Sequence, residues 1–181
     1  MATRQRHDPT KNLVGFGVGD VLYAVSIYGV REICNPLPVV ALPRAPHSVR
    51  GVADFRNEVV AVIDLRERFG LPPLDASARA KWIVCDVDVE SAGLRPPTRL
   101  GPDRNGRFVA LVVDRVTEVF GTQGLDLRPA PELGGGEGDR GILGVTQKAG
   151  GLVFVLDTRA FRYISEEIAG RVAGQSADGY S

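Results

Sequence analysis

The chain has 181 residues, of which 44% are hydrophobic, and it carries 12 prolines and 22 glycines, enough for one domain or two small ones rich in turns. Its 22 basic and 22 acidic side chains cancel, so no overall field favours nucleic acid or an anionic membrane, and 7% aromatic content offers little stacking surface for bases. No stretch reaches the roughly 20 apolar residues of a membrane span, and the opening MATRQRHDPTKN is polar without a secretory apolar core, so a cytoplasmic protein without membrane insertion is expected.

In chain order, strand-like runs fall at 13–16, 21–25, 39–42, 49–55, 59–63, 82–87, 108–113, 141–145 and 152–156. Short strands separated by turns at this density predict a mainly β protein of barrels or a sandwich. Ser26 is placed to cap a helix over 27–33. Residues 51–70, GVADFRNEVVAVIDLRERFG, encode a hairpin whose turn is Arg56-Asn57-Glu58 and whose second strand ends at Asp64. Asp64 caps a short helix over 65–69, with Glu67 at capping-box spacing and Gly70 and Pro72 as stop signals. A last helix over 158–169 carries Phe161, Ile164 and Ile168 at the 3.6-residue period.

Two joints and a long loop punctuate this pattern. Residues 72–77 read as a crossover, 134–136 as a glycine joint, and 90–107 as an exposed hairpin loop whose Arg95, Arg99, Arg104 and Arg107 form either a solvated run or a docking patch. A weak internal repeat relates VVAVIDLRERF at 59–69 to LVFVLDTRAFR at 152–162, each an apolar strand ending in Asp with Arg two residues on. It implies two similar subdomains divided near residue 75.

Groups that carry chemistry are sparse. His7 and His47 are the only histidines, and neither lies near a candidate nucleophile or metal cluster. Cys34 and Cys85 lack CxxC spacing and sit in apolar runs, as core thiols do. Asp64, Asp114 and Asp157 each follow an apolar strand, a placement that capping explains without a metal. No phosphate-binding glycine motif is present, so no cofactor and no catalysis are expected.

The segment at 51–70 resembles the central signature of CheW-like domains, the adaptors that couple chemoreceptors to the histidine kinase CheA. Further blocks follow in the family's order: FGVGDVLYAVSIYGVREI at 16–33, FVALVVDRVTEVF at 108–120, LDLRPAPEL at 125–133, GILGV at 141–145 and LVFVLDTRAF at 152–161. The resemblance implies two side-by-side five-stranded β-barrels around an apolar seam, with short helices and a C-terminal helix. The expected organisation is a flexible tail at 1–12, one domain at 13–168 with barrels at 13–75 and 76–168, and a flexible tail at 169–181. The family's usual Asn-Leu-Arg-Gly turn reads Asp54-Phe55-Arg56-Asn57 here, and Asn, like Gly, enters the left-handed region.

What the resemblance implies for function is an adaptor with two partners: the cytoplasmic tips of methyl-accepting chemoreceptors and a CheA-type histidine kinase, with ring assembly alongside kinase regulatory domains. Val30 and Ile33 on the first helix, with Val116 and Val119, would line a receptor groove. Arg56 would pair with Glu32 of the first helix, fixing the mouth of the first barrel and shaping the receptor-binding surface, or stand as a solvated turn arginine. On the strand at 82–87 the side chains alternate, so Ile83 and Cys85 would either meet the kinase or lie under the C-terminal helix. Alternatives are a specialised adaptor without kinase contact, one serving gliding, pilus or developmental signalling, a small-barrel nucleic-acid-binding module, and a small hydrolase using the strand-end aspartates.

Overall fold

The computed structural model describes residues 12–75, 79–89, 105–122, 127–129 and 141–177. Ten strands run in the order β1 (Leu13–Val18), β2 (Val21–Ser26), β3 (Val30–Cys34), β4 (Val49–Phe55), β5 (Glu58–Asp64), β6 (Lys81–Asp86), β7 (Phe108–Val113), β8 (Arg115–Phe120), β9 (Ile142–Lys148) and β10 (Gly151–Leu156). The helices are α1 (Leu65–Arg68) and α2 (Arg162–Ala177), with single 3-10 turns at Ile27–Gly29 and Thr158–Phe161. Asp64 caps α1 by accepting from the backbone of Arg66 and Glu67, as its place at the strand end predicts.

The strands form two five-stranded sheets, β8-β1-β2-β10-β9 and β3-β6-β7-β5-β4. Both are open by backbone pairing rather than closed barrels. Each is curled so that a side-chain ion pair joins its two edge strands or their hairpin: Glu32 of β3 meets Arg56 of the β4–β5 turn, and Glu118 of β8 meets Lys148 of β9. A large apolar cluster, with Phe16, Tyr23 and Val25 from one sheet and Ile63, Ile83 and Leu111 from the other, fills the seam between them. Smaller clusters sit on the far faces, around Trp82 and Phe108 in the second sheet and around Leu13 and Val153 in the first.

The repeat is real in the fold, but it does not divide the sheets. Strands β6 to β10 retrace β1 to β5, yet each sheet draws strands from both sides of residue 75, because β3, β4 and β5 join β6 and β7 while β8, β9 and β10 join β1 and β2. The expected barrels at 13–75 and 76–168 are therefore corrected: the repeats interlock. The registers hold the correspondence in detail. Val52 pairs with the isolated bridge residue Val40, and its counterpart Val145 pairs likewise with Arg128. Each bridge covers an otherwise open sheet edge. Gly51 and Gly144 admit these segments: a Cβ at Gly51 would lie 2.1 Å from the Val40 carbonyl oxygen, and one at Gly144 2.7 Å from that of Arg128.

Other expectations are corrected as well. Residues 27–33 are one 3-10 turn, capped by Ser26, followed by strand β3. The strand at 39–42 is reduced to the Val40 bridge. Strand β8 was not anticipated. The tail at 169–181 is instead the continuation of α2 to Ala177, where Arg171 donates to the carbonyls of Pro43 and Arg44 and Val172 packs against the seam. The tail at 1–12, most of the loop at 90–107 with Arg95, Arg99 and Arg104, and the glycines at 134–136 lie outside the described residues, apart from Asn12 and 105–107. Arg107 is not free for a docking patch, since its guanidinium holds Asp86 at 2.8 Å.

Candidate partner-binding groove

Edge strands β3 and β8 occupy equivalent places in the two repeats and carry the same motif, Val30-Arg31-Glu32-Ile33 and Val116-Thr117-Glu118-Val119. Each contains a bulge. On β3, Val30 faces Cys85 and Ile33 faces Ile83, so three residues of β3 span two of β6. On β8, Val116 faces Phe16 and Val119 faces Val14, again three against two. An extra residue restores the face that simple alternation would lose. Val30 and Ile33 thus share the seam side of the second sheet, and Val116 and Val119 the seam side of the first.

The two walls meet at a shallow groove. Ile33, Cys34, Asn35, Lys81 and Val116 line a cavity of about 260 Å³. Val30 and Val116 are half-buried against the seam, whereas Ile33 is 42% and Val119 39% exposed. The apolar lining therefore continues the core outward to solvent. Lys81 donates to the Asn35 side chain at 2.6 Å along one edge. Burial pushes the Cys34 thiol up, Glu32 adds to that effect and Lys81 opposes it, so the thiol stays protonated and weakly nucleophilic. Cys34, Asn35 and Lys81 were not anticipated as lining residues; the signal was the cation opening an apolar strand, but only the β3–β6 pairing brings it to Asn35.

Glu32 and Arg56 form the expected ion pair at 2.5 Å. Arg56 and Asn57 both adopt positive φ, 52° and 66°, as a two-residue hairpin turn demands, and Asp54 accepts from the Asn57 backbone at 2.9 Å. With the Arg56 side chain 65% exposed, the pair stabilises the fold by about 0–1 kcal/mol. Its effect is on shape: it draws the β4–β5 turn against the outer face of β3, opposite the face that carries Val30 and Ile33.

Ile83 and Cys85 are withdrawn as kinase contacts. Both are 0% exposed, in a strand flanked by β3 and β7, and their side chains lie in the seam with Phe161, Ile164 and Ile168. The seam, with the 3-10 turn at Thr158–Phe161 packed against β6, covers this face, and Trp82 and Val84 fill the opposite cluster, so β6 has no face left for a partner. Burial, with a smaller contribution from Asp86, raises the Cys85 thiol far above its ordinary range. Among the described residues, no three His, Cys, Asp or Glu side chains converge as metal ligands, and no helix is long and apolar enough to cross a membrane. The three strand-end aspartates are apart in role: Asp64 caps α1, Asp157 caps the 3-10 turn at Thr158–Phe161, and Asp114 accepts from Gly19 and Arg66.

Two interlocked five-stranded sheets, a covered seam and an apolar groove between bulged edges define a mainly β scaffold module. The CheW-like domain profile matches residues 12–163. The chain belongs to the CheW-like domain family. It is 29% identical over 150 residues to a probable chemotaxis protein CheW of Rhizobium etli, covering 81% of this chain and 86% of that protein. Protein FrzA of Myxococcus xanthus is 31% identical over 143 residues, 78% of each chain. The crystal structure of the scaffolding protein TtCheW from Thermoanaerobacter tengcongensis superposes with a TM-score of 0.62 at 22% identity, covering 81% of this chain and 88% of that one. That likeness concerns the fold.

Proposed function

We propose that this chain is a noncatalytic adaptor that couples methyl-accepting chemoreceptors to a CheA-type histidine kinase, in the cytoplasm at receptor arrays. The observation that supports the reading is the pair of bulged edge strands, whose Ile33 and Val116 line one groove while Val30 and Val119 share the same faces of their sheets and Ile33 and Val119 stay open to solvent. A groove continuous with the core suits the apolar face of a helix, whose anchors recur every three or four residues. The kinase would be held on a separate surface, at a barrel-like end of one sheet, so that small receptor movements reach it through a rigid body. Assembly with kinase regulatory domains into rings would extend that coupling.

Ile33→Asp and Val119→Asp test the groove. Both side chains are substantially exposed, so the fold should persist, whereas Val30 packs against the seam and a charge there would confound binding with stability. Co-sedimentation with receptor-containing membranes should weaken about tenfold or more in each variant, the size of one lost apolar anchor, with an unchanged thermal midpoint. Undiminished co-sedimentation would count against the groove.

A further inference from the structure

The two groove walls belong to different sheets, and a polar cluster at Asp114 ties them beside Val116. Asp114 is the single residue between β7 of the second sheet and β8 of the first. Its backbone N–H donates to Gly17 at 3.0 Å and its carboxylate accepts from Gly19 N–H at 2.7 Å, which fastens it to the β1–β2 hairpin of the first sheet. The same carboxylate oxygen accepts from Arg66 Nη1 at 2.6 Å, and Arg66 stands on α1, directly after β5 of the second sheet. Arg66 Nε donates to the Pro72 carbonyl at 2.6 Å, which aims the guanidinium. The side chains are only 15% and 11% exposed, so the contact is little screened.

The other repeat lacks this contact. Registers place Asp64, Arg66 and Val62 opposite Asp157, Arg159 and Val155, and Val30 opposite Val116, which puts Tyr28 where the second repeat has Asp114. Arg159 is turned onto its own cap, Asp157, at 3.2 Å. The second repeat ties the sheets by a different contact, Thr158 Oγ1 after β10 donating to the Asp86 carbonyl of β6 at 3.1 Å, whereas the Arg66–Asp114 tie lies two residues before Val116.

We propose that Arg66 and Asp114 are positioning residues for the groove: their ion pair sets where β8 lies relative to β3, and so whether Val116 and Ile33 present one continuous surface to the receptor. This rests on the reading of the groove as the receptor site. Spin labels at the two exposed bulges, Arg31→Cys and Thr117→Cys with Cys34→Ser, report the wall-to-wall distance in the full chain. Arg66→Ala should broaden that distance distribution and weaken receptor co-sedimentation about fivefold, with the variant still fully folded by thermal melting. Arg66→Lys and Asp114→Asn are the milder pair, to be used where alanine prevents folding, and should broaden it less. A lowered melting temperature with an unchanged distribution would overturn the proposal, leaving the pair a stabiliser only. Broadened distances with undiminished co-sedimentation would overturn it as well. Failure of the groove itself is separately visible, since Ile33→Asp would then bind receptor normally.

Discussion

The two repeats agree where backbone geometry is at stake and differ where charge is. Both carry a bulged edge strand with Val and an apolar residue three apart, a glycine beneath a bridging segment, and an Asp cap followed by Arg. Those positions answer to the sheet. The polar positions differ: Arg66 bonds Asp114 at the junction of the two sheets, while Arg159 pairs with its own cap, Asp157, and Thr158 beside it bonds across to the Asp86 carbonyl. Fold and groove thus have separable determinants, and the unequal pairs point to the half that holds the walls in place.

Four measurements break or sharpen that comparison, from the largest effect down. Gly51→Ala should cost about 2–4 kcal/mol by urea unfolding, because the new methyl meets a backbone carbonyl and φ is +143°. Gly144→Ala, with an ordinary φ and a longer approach, should cost about half as much; equal losses would break the ranking. Arg66→Ala should cost about 2 kcal/mol by leaving Asp114 nearly buried beside an absent cation, against less than about 1 kcal/mol for Arg159→Ala. A reversed order would remove the asymmetry.

The third measurement concerns Phe16 and Cys85, which fill equivalent places in the seam, one with a ring and one with a thiol. Because burial raises the folded-state pKa of Cys85 above the ordinary 9.0, the unfolded chain releases that proton first as pH rises. Stability should be unaffected below pH 9.0 and fall above it, by at most about 1.4 kcal/mol per pH unit from this group. Cys85→Ala should remove that part of the slope; an identical slope would show that the thiol titrates in the folded chain. Smallest of all, Glu32→Gln and Glu118→Gln should each change stability by about 0–1 kcal/mol and lose even that difference in high salt.

Much of the fold is legible in the sequence, and the parts that are not depend on bulges and on tertiary pairing. Strands β4 and β7 lie where their apolar runs predict them, and the Asp64 cap does what its position announces. The two strands that escaped, β3 and β8, have bulges that fall between their apolar residues, whereas the bulge of β4 lies at its start, between Val49 and Gly51, and leaves the rest of its alternation intact. A bulge gives Val30 and Ile33 the three-residue spacing of a helix, so periodicity points to the wrong element while naming the right residues. For Ile83 and Cys85, alternation correctly separates two faces but cannot reveal that both are covered. The repeat at 59–69 and 152–162 is plain in the sequence; the exchange of β3–β5 with β8–β10 between the sheets is not, since strand partners are a tertiary property.

The exchange also sets an order on assembly. The second sheet has all its strands once the chain has emerged through Val113, but the first needs β10, which ends at Leu156. During synthesis, β1 and β2 must wait for partners more than half a chain away, and such long loops close slowly. The groove needs β8 seated beside β1, so a chain that stops before β8 offers only one of its walls. Both walls of the groove are therefore present together only late in synthesis.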